Sequence, residues 1–250
     1  MKIVLIGAGN MGQAMLEGWG GYEVEVAEVN DEIRHQLVAR YPFVRLIPRD
    51  PVDIEGKTVV LAIKPQSLPS LQTVGRAKAV LSILAGTPLS VIREAIPADA
   101  YVRAMPNMGA LMRRSMTTLT GDHAFHHEAM ELMGSIGRTL WVHSEKEIDV
   151  ATALAGSGPA YLALVAEALA DGAVREGLGR HEAQKLVQGL FDGVAAALEK
   201  EHPAILKDKV MSPGGTTAAG YAALEERGVR FAFIEAICAA YKRAKELALG

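Results

Sequence analysis

The sequence predicts an α/β chain in which a doubly wound, mainly parallel sheet (residues 1–144) is followed by an all-helical region (145–250). Three observations carry this. The first 150 residues hold 26 valines and isoleucines against nine in the last 100, while alanine runs 15 against 24. β-Branched side chains suit a pleated sheet, and alanine is the strongest helix former. In the first part, short apolar runs alternate with helical patterns and close in turn residues, as parallel strands joined by crossover helices do. The chain also opens on an apolar run that ends in glycines and passes into a helical pattern.

Strands are expected at 2–6, 24–27, 58–63, 79–83, 101–105, 116–119 and 139–142, with helices between them, for instance 31–40 and 88–96. The polar stretch His143–Glu147 reads as the junction. Beyond it, long helical patterns cover 160–176, 181–200 and about 230–249. Gly177 and Gly179 stop the first of these, and His202-Pro203 is expected to end the second.

Bulk properties narrow the function. A chain of 250 residues, half of them hydrophobic, can bury a real core. A net charge of −3 with 13 aromatic residues gives no basic stripe, so no nucleic-acid partner is expected. The single cysteine, Cys238, excludes an internal disulfide framework or a thiolate metal cluster. The longest uncharged run, from Val150 to Ala166, is interrupted by Gly156, Gly158 and Pro159, so no membrane span is expected. The short apolar start before Gly7 lacks the length of a signal peptide, and the expected location is cytoplasmic.

The opening Gly7-Ala-Gly9-Asn10-Met11-Gly12 follows a strand and starts a helix, the context in which such glycines bind a dinucleotide. Gly7 allows the tight turn, Gly9 lets a pyrophosphate approach the backbone, and Gly12 lets helix and strand pack closely. The helix N-terminus offers N–H groups to phosphates. The second strand ends at Glu28, where an acid can bond the adenosine ribose hydroxyls. A carboxylate there repels a 2′-phosphate, so NADH is favoured over NADPH. Arg34, one helix turn on, could offset that repulsion and keeps NADPH open. Asn30 or Asp31 caps the next helix.

Four further segments stand out: Ala62-Ile63-Lys64-Pro65-Gln66, Arg103-Ala104-Met105-Pro106-Asn107, Gly156-Ser157-Gly158-Pro159-Ala160-Tyr161, and Ser212-Pro213-Gly214-Gly215-Thr216-Thr217. With the glycine-rich opening, in this order and spacing, they resemble pyrroline-5-carboxylate reductase. The resemblance runs from Ile3 to about Glu246, and the segments at Gly156 and Ser212 are its most specific parts. It implies a Rossmann domain, a helical dimerisation domain, and NADH- or NADPH-dependent reduction of a cyclic imine to L-proline. It further implies a small-molecule substrate, no metal, and an intertwined homodimer, which in some members assembles into decamers.

Carried over by position, the resemblance puts Gly9–Gly12 along the dinucleotide phosphates. Ala62, Lys64 and Pro65 would run beside the nicotinamide-ribose, with Met105 and Asn107 near the nicotinamide. Ser212, Gly214, Gly215, Thr216 and Thr217 would hold the substrate, the Thr217 hydroxyl bonding the ring nitrogen. The loop's own chemistry agrees. Pro213 fixes how the chain enters, the two glycines permit an unusual path, and a helix start presents N–H groups to a carboxylate. Two departures from the family pattern are visible. Met108-Gly109 replaces the usual Thr-Pro after Asn107, and Glu28 replaces the small polar residue of NADPH-preferring members. The runner-up enzyme, a β-hydroxyacid dehydrogenase, needs a helical-domain lysine, for which Lys185 is the only candidate before Lys200. A further alternative is a nucleotide-sensing or scaffold protein without turnover. His123, His126 and His127 with Glu128 offer no evident fourth metal ligand.

Overall fold

The first strand, β1 (Lys2–Ile6), shows why the apolar runs lack polar residues: both of its faces are covered. Ile3 and Leu5 join a core with Met15, Trp19 and Leu81, whereas Val4 and Ile6 join a second core with Val59, Val80 and Ile92. A sheet buried on both faces is the arrangement that crossover helices produce. In the computed structural model, which describes residues 1–249, the chain continues through α1 (Asn10–Gly18), β2 (Glu23–Ala27), α2 (Asp31–Arg40), β3 (Val44–Leu46), β4 (Val52–Asp53) and β5 (Thr58–Leu61). Next come β6 (Thr73–Val74), β7 (Ala79–Ser82), α3 (Leu89–Ala95), β8 (Tyr101–Met105), β9 (Ser115–Gly121), α4 (His126–Gly134), β10 (Gly137–Trp141) and α5 (Glu145–Ala151).

The main sheet has the order β10-β9-β8-β7-β5-β1-β2-β3; β4 and β6 form a separate two-stranded ladder. Among the described residues, all strand pairs are parallel except β8–β9. Strand order reverses at β1, between β2 and β5, and ligands of such sheets bind outside the carboxyl ends at that point. Asn30 caps α2, accepting the Glu32 and Ile33 N–H groups at 2.9 and 3.1 Å. After α2, Tyr41 donates to Glu17 of α1 at 2.8 Å. Burial, with that carboxylate, pushes its phenol up to about 12.

The helical part contains α6 (Gly158–Arg175), α7 (Arg180–Leu198), α8 (Pro203–Val210), α9 (Thr216–Glu226) and α10 (Val229–Leu249). Two expectations are corrected. His202-Pro203 does not end the second helix, because α7 stops at Leu198. His202 instead caps α8, and Pro203 begins it, where a missing N–H is harmless. Nor do Gly156, Gly158 and Pro159 interrupt the apolar run. A π-helical turn, Thr152–Gly156, carries the chain from α5 to α6, with Pro159 in the first turn of α6. By length and composition alone, Glu145–Arg175 is apolar enough to cross a membrane.

The chain divides into two compact units, Met1–Gly156 with the end of α10, and Ser157–Ala239. In the first, α5 packs on β8 and β9. Its start is a reciprocal cap: Ser144 Oγ accepts the Glu147 N–H while Glu147 accepts the His143 N–H. In the second, α6 packs on α7, yet among the described residues Ala170 and Ala183 are its only buried ones. Large apolar side chains such as Leu162, Leu164, Leu186, Leu190 and Phe231 are exposed on it.

Candidate active site

The turn after β1 depends on glycine at two positions. Gly7 has φ of 92°, and a Cβ there would lie 2.7 Å from the Ala62 carbonyl oxygen. A Cβ on Gly12 would lie 2.5 Å from the Gly7 carbonyl oxygen, so α1 can approach β1 only with glycine in that place. At Gly9 a Cβ would meet nothing within 4 Å, so the backbone faces open space. Among the described residues no side chain caps α1, whose first N–H groups therefore suit an anion. Met11 packs on the core, and Asn10 is exposed beside the open backbone of Gly9.

A crevice of about 610 Å³ opens at this edge of the sheet, lined by Gly7, Gly9, Glu28, Ala62 and Lys64. Val29, Ile33 and Leu71 add an apolar wall that sequence reading missed, and Arg49 and Gln72 add polar ones. Lys64 precedes a 3-10 turn, Pro65–Ser70, with Pro65 in its first position. Glu28 is buried, and each carboxylate oxygen already serves the backbone. Oε2 accepts the Ala8 N–H at 2.6 Å, and Oε1 accepts the Asn30 N–H at 2.8 Å. The acid thereby ties the glycine turn to the end of β2, and it still borders the crevice. Arg34 donates to the Glu28 and Ile47 carbonyls at 3.2 and 3.3 Å. Arg49 pairs with Asp31.

Met105 and Asn107, at the carboxyl end of β8, are not among the crevice-lining residues. They belong to a group of contacts with α5 and the turn that follows it. Arg103, almost fully buried, donates to Glu145 at 3.3 Å and Asp149 at 2.8 Å. Glu145 also accepts the Leu89 N–H at the start of α3, at 2.9 Å. The Met105 methyl lies 3.8 Å from where a Cβ on Gly156 would be. Asn107 donates from Nδ2 to the Ala155 carbonyl at 2.9 Å.

In the helical unit, Ser212, Pro213 and Gly214 form an exposed turn, with Gly214 at φ of 67°. The Gly215 N–H returns to the Ser212 carbonyl at 3.0 Å, and Gly215 stands at the N-cap of α9 with no side chain to cap it. Thr216 and Thr217 occupy the first turn of that helix, exposed. Such a start presents backbone N–H groups and two hydroxyls side by side. Lys185 sits exposed in the N-terminal third of α7. The His123 and His126 rings pack against Trp141, at 5.7 and 4.4 Å between ring centres.

Residues 145–247 match the family model for pyrroline-5-carboxylate reductase dimerisation, and residues 2–86 match that for coenzyme F420-dependent NADP oxidoreductase. A pyrroline-5-carboxylate reductase of Synechocystis is 38% identical over 99% of this chain and 98% of its own length. This chain belongs to the pyrroline-5-carboxylate reductase family. Among solved structures, the reductase of Coxiella burnetii superposes with a TM-score of 0.86 at 32% identity, covering 98% of each chain. That of Streptococcus pyogenes gives 0.82 at 32% identity, with the same coverage. The match at 145–247 makes the helical part the family's dimerisation region, and membership makes the chain an NAD(P)-dependent oxidoreductase. The helical run apolar enough to cross a membrane begins where that region begins.

Proposed function

We propose that this protein reduces 1-pyrroline-5-carboxylate to L-proline in the cytoplasm, as a homodimer at least, with NADH as the favoured cofactor. The observation that carries the substrate assignment is the turn Ser212–Thr217, an uncapped helix start with two threonines in its first turn. The α9 N–H groups receive the substrate carboxylate. The Thr217 hydroxyl holds the ring nitrogen, and its role is orientation, because a threonine hydroxyl of ordinary acidity is a weak general acid. The ring proton comes from solvent.

The residues of the other unit fit a dinucleotide. Gly9 offers backbone to the phosphates, the open N–H groups of α1 receive their charge, and Glu28 borders the crevice where a ribose would lie. When bound, the reduced dinucleotide supplies a hydride to the imine carbon. Glu28 supports NADH because its carboxylate is held in place by Ala8 and Asn30 and would meet a 2′-phosphate as a like charge. The exposed apolar side chains of α6 and α7 support a second copy of the chain as their cover. The exposed, unpaired Cys238 suits a reducing compartment. The experiment is a substrate screen with purified protein and reduced dinucleotide, setting the cyclic imine against β-hydroxyacids with the oxidised form. Turnover of the imine alone is expected. Turnover of a β-hydroxyacid instead would return attention to Lys185.

A further inference from the structure

Pro159 withholds a hydrogen where the helical run would use one. In an α-helix the carbonyl of residue 155 accepts the N–H of residue 159, and proline has none. The next N–H, that of Ala160, goes to the Ser157 carbonyl at 3.0 Å. The Ala155 carbonyl is met from the sheet instead, by Asn107 Nδ2 at 2.9 Å.

The amide that does this has a single workable orientation. Asn107 Oδ1 accepts the Gly109 N–H at 3.0 Å, so the nitrogen must face Ala155. The Asn107 N–H donates to Ser115 Oγ at 3.1 Å, and that hydroxyl pairs with the buried Thr117 hydroxyl at 2.9 Å. Asn107 is thus held on one side by the loop and by β9, and on the other it holds one carbonyl. The place is informative. A dinucleotide spans the point where strand order reverses, so its reacting half lies toward β5, β7 and β8. Asn107 follows β8 directly.

We infer that Asn107 is a positioning residue, whose amide supplies the hydrogen that Pro159 withholds and so fixes the turn Thr152–Gly156 against the end of β8. It acts through Ala155 and Met105 rather than by binding the dinucleotide. The functional part rests on the reductase reading above. Displacing this wall by a fraction of an ångström would misalign the reacting groups with little effect on how tightly the dinucleotide is held.

The test compares Asn107→Ala, Asn107→Asp and Pro159→Ala with the double variant Asn107→Ala/Pro159→Ala. Amide hydrogen exchange across residues 152–160 is read without any cofactor, and the dinucleotide Kd, kcat and KM are then measured. Losing the amide should speed exchange in the turn about tenfold, the scale of one lost hydrogen bond, and lower kcat by a similar factor. Asn107→Asp should do at least as much damage, since a carboxylate then faces a carbonyl. The dinucleotide Kd should stay within about twofold. In the double variant the backbone N–H at position 159 is restored, and both exchange protection and kcat should recover most of the loss. A raised Kd at unchanged kcat would make Asn107 a cofactor ligand and overturn the inference. So would additive losses in the double variant. A wild-type protein inactive on the imine would overturn the reductase reading alone, because the exchange is measured without substrate.

Discussion

Thr217 and Glu28 carry the chemistry at the residue scale, and they differ in how much of their role a sequence can show. A threonine in the first turn of an uncapped helix, behind two glycines, can be read locally. Thr217→Ala should bind dinucleotide normally but lose about 10- to 100-fold in imine reduction, the scale of one hydrogen bond to a charged partner. Dinucleotide binding by fluorescence beside steady-state kinetics measures this, and wild-type turnover in the variant would remove Thr217 from the mechanism. At Glu28 the position at the end of β2 was legible, but its two backbone partners were not. The Ala8 N–H lies 20 residues away in sequence and reaches the carboxylate only once β1 and β2 pair. Wild type should favour NADH by roughly tenfold, from the like-charge cost at the 2′ position. In Glu28→Ser that preference should shrink, while affinity for both cofactors falls because Ala8 and Asn30 lose their acceptor. Comparing kcat/KM for NADH and NADPH in both proteins is the check. A wild-type preference for NADPH would mean that Glu28 serves the glycine turn alone.

Elements whose bounds the sequence reading gave lie within a few residues of them, and α2 and β8 coincide with their expected ranges, whereas α4, α8 and α9 had been given no bounds. The strands β3, β4 and β6 were missed because two or three residues hold no period to read. Two helix starts show what local spacing carries. His143–Glu147, read as the junction, lies where the match to the dimerisation model begins, and its Ser144–Glu147 capping pair was also present in the spacing. Pro203 read as a terminator, although proline in a first turn begins helices as readily as it ends them. The attachment of α5 could not be read at all, since Arg103 meets Glu145 and Asp149 across more than forty residues. Arg103→Ala would leave two carboxylates facing a buried gap. Because Glu145 and Asp149 keep some contact with solvent, the loss should fall toward the lower end of ~3–5 kcal/mol. Urea unfolding measures it, and a change below about 0.5 kcal/mol would mark the group as a solvated surface network.

On the scale of the whole molecule, the composition split anticipated two kinds of structure, a sheet covered on both faces and a set of alanine-rich helices. What a single sequence shows less well is that the helical unit has almost no interior of its own. With Ala170 and Ala183 as its buried residues, its leucines and phenylalanines need a second surface. Light scattering at micromolar concentration should give at least a dimer, and an active monomer would contradict the assignment of these helices to subunit contact. The most direct measurement incubates the purified protein with 1-pyrroline-5-carboxylate and NADH or NADPH, and quantifies L-proline against dinucleotide oxidised. Imine-dependent oxidation with proline formed in equal amount is expected. Tight dinucleotide binding with no imine-dependent oxidation and no proline would contradict it.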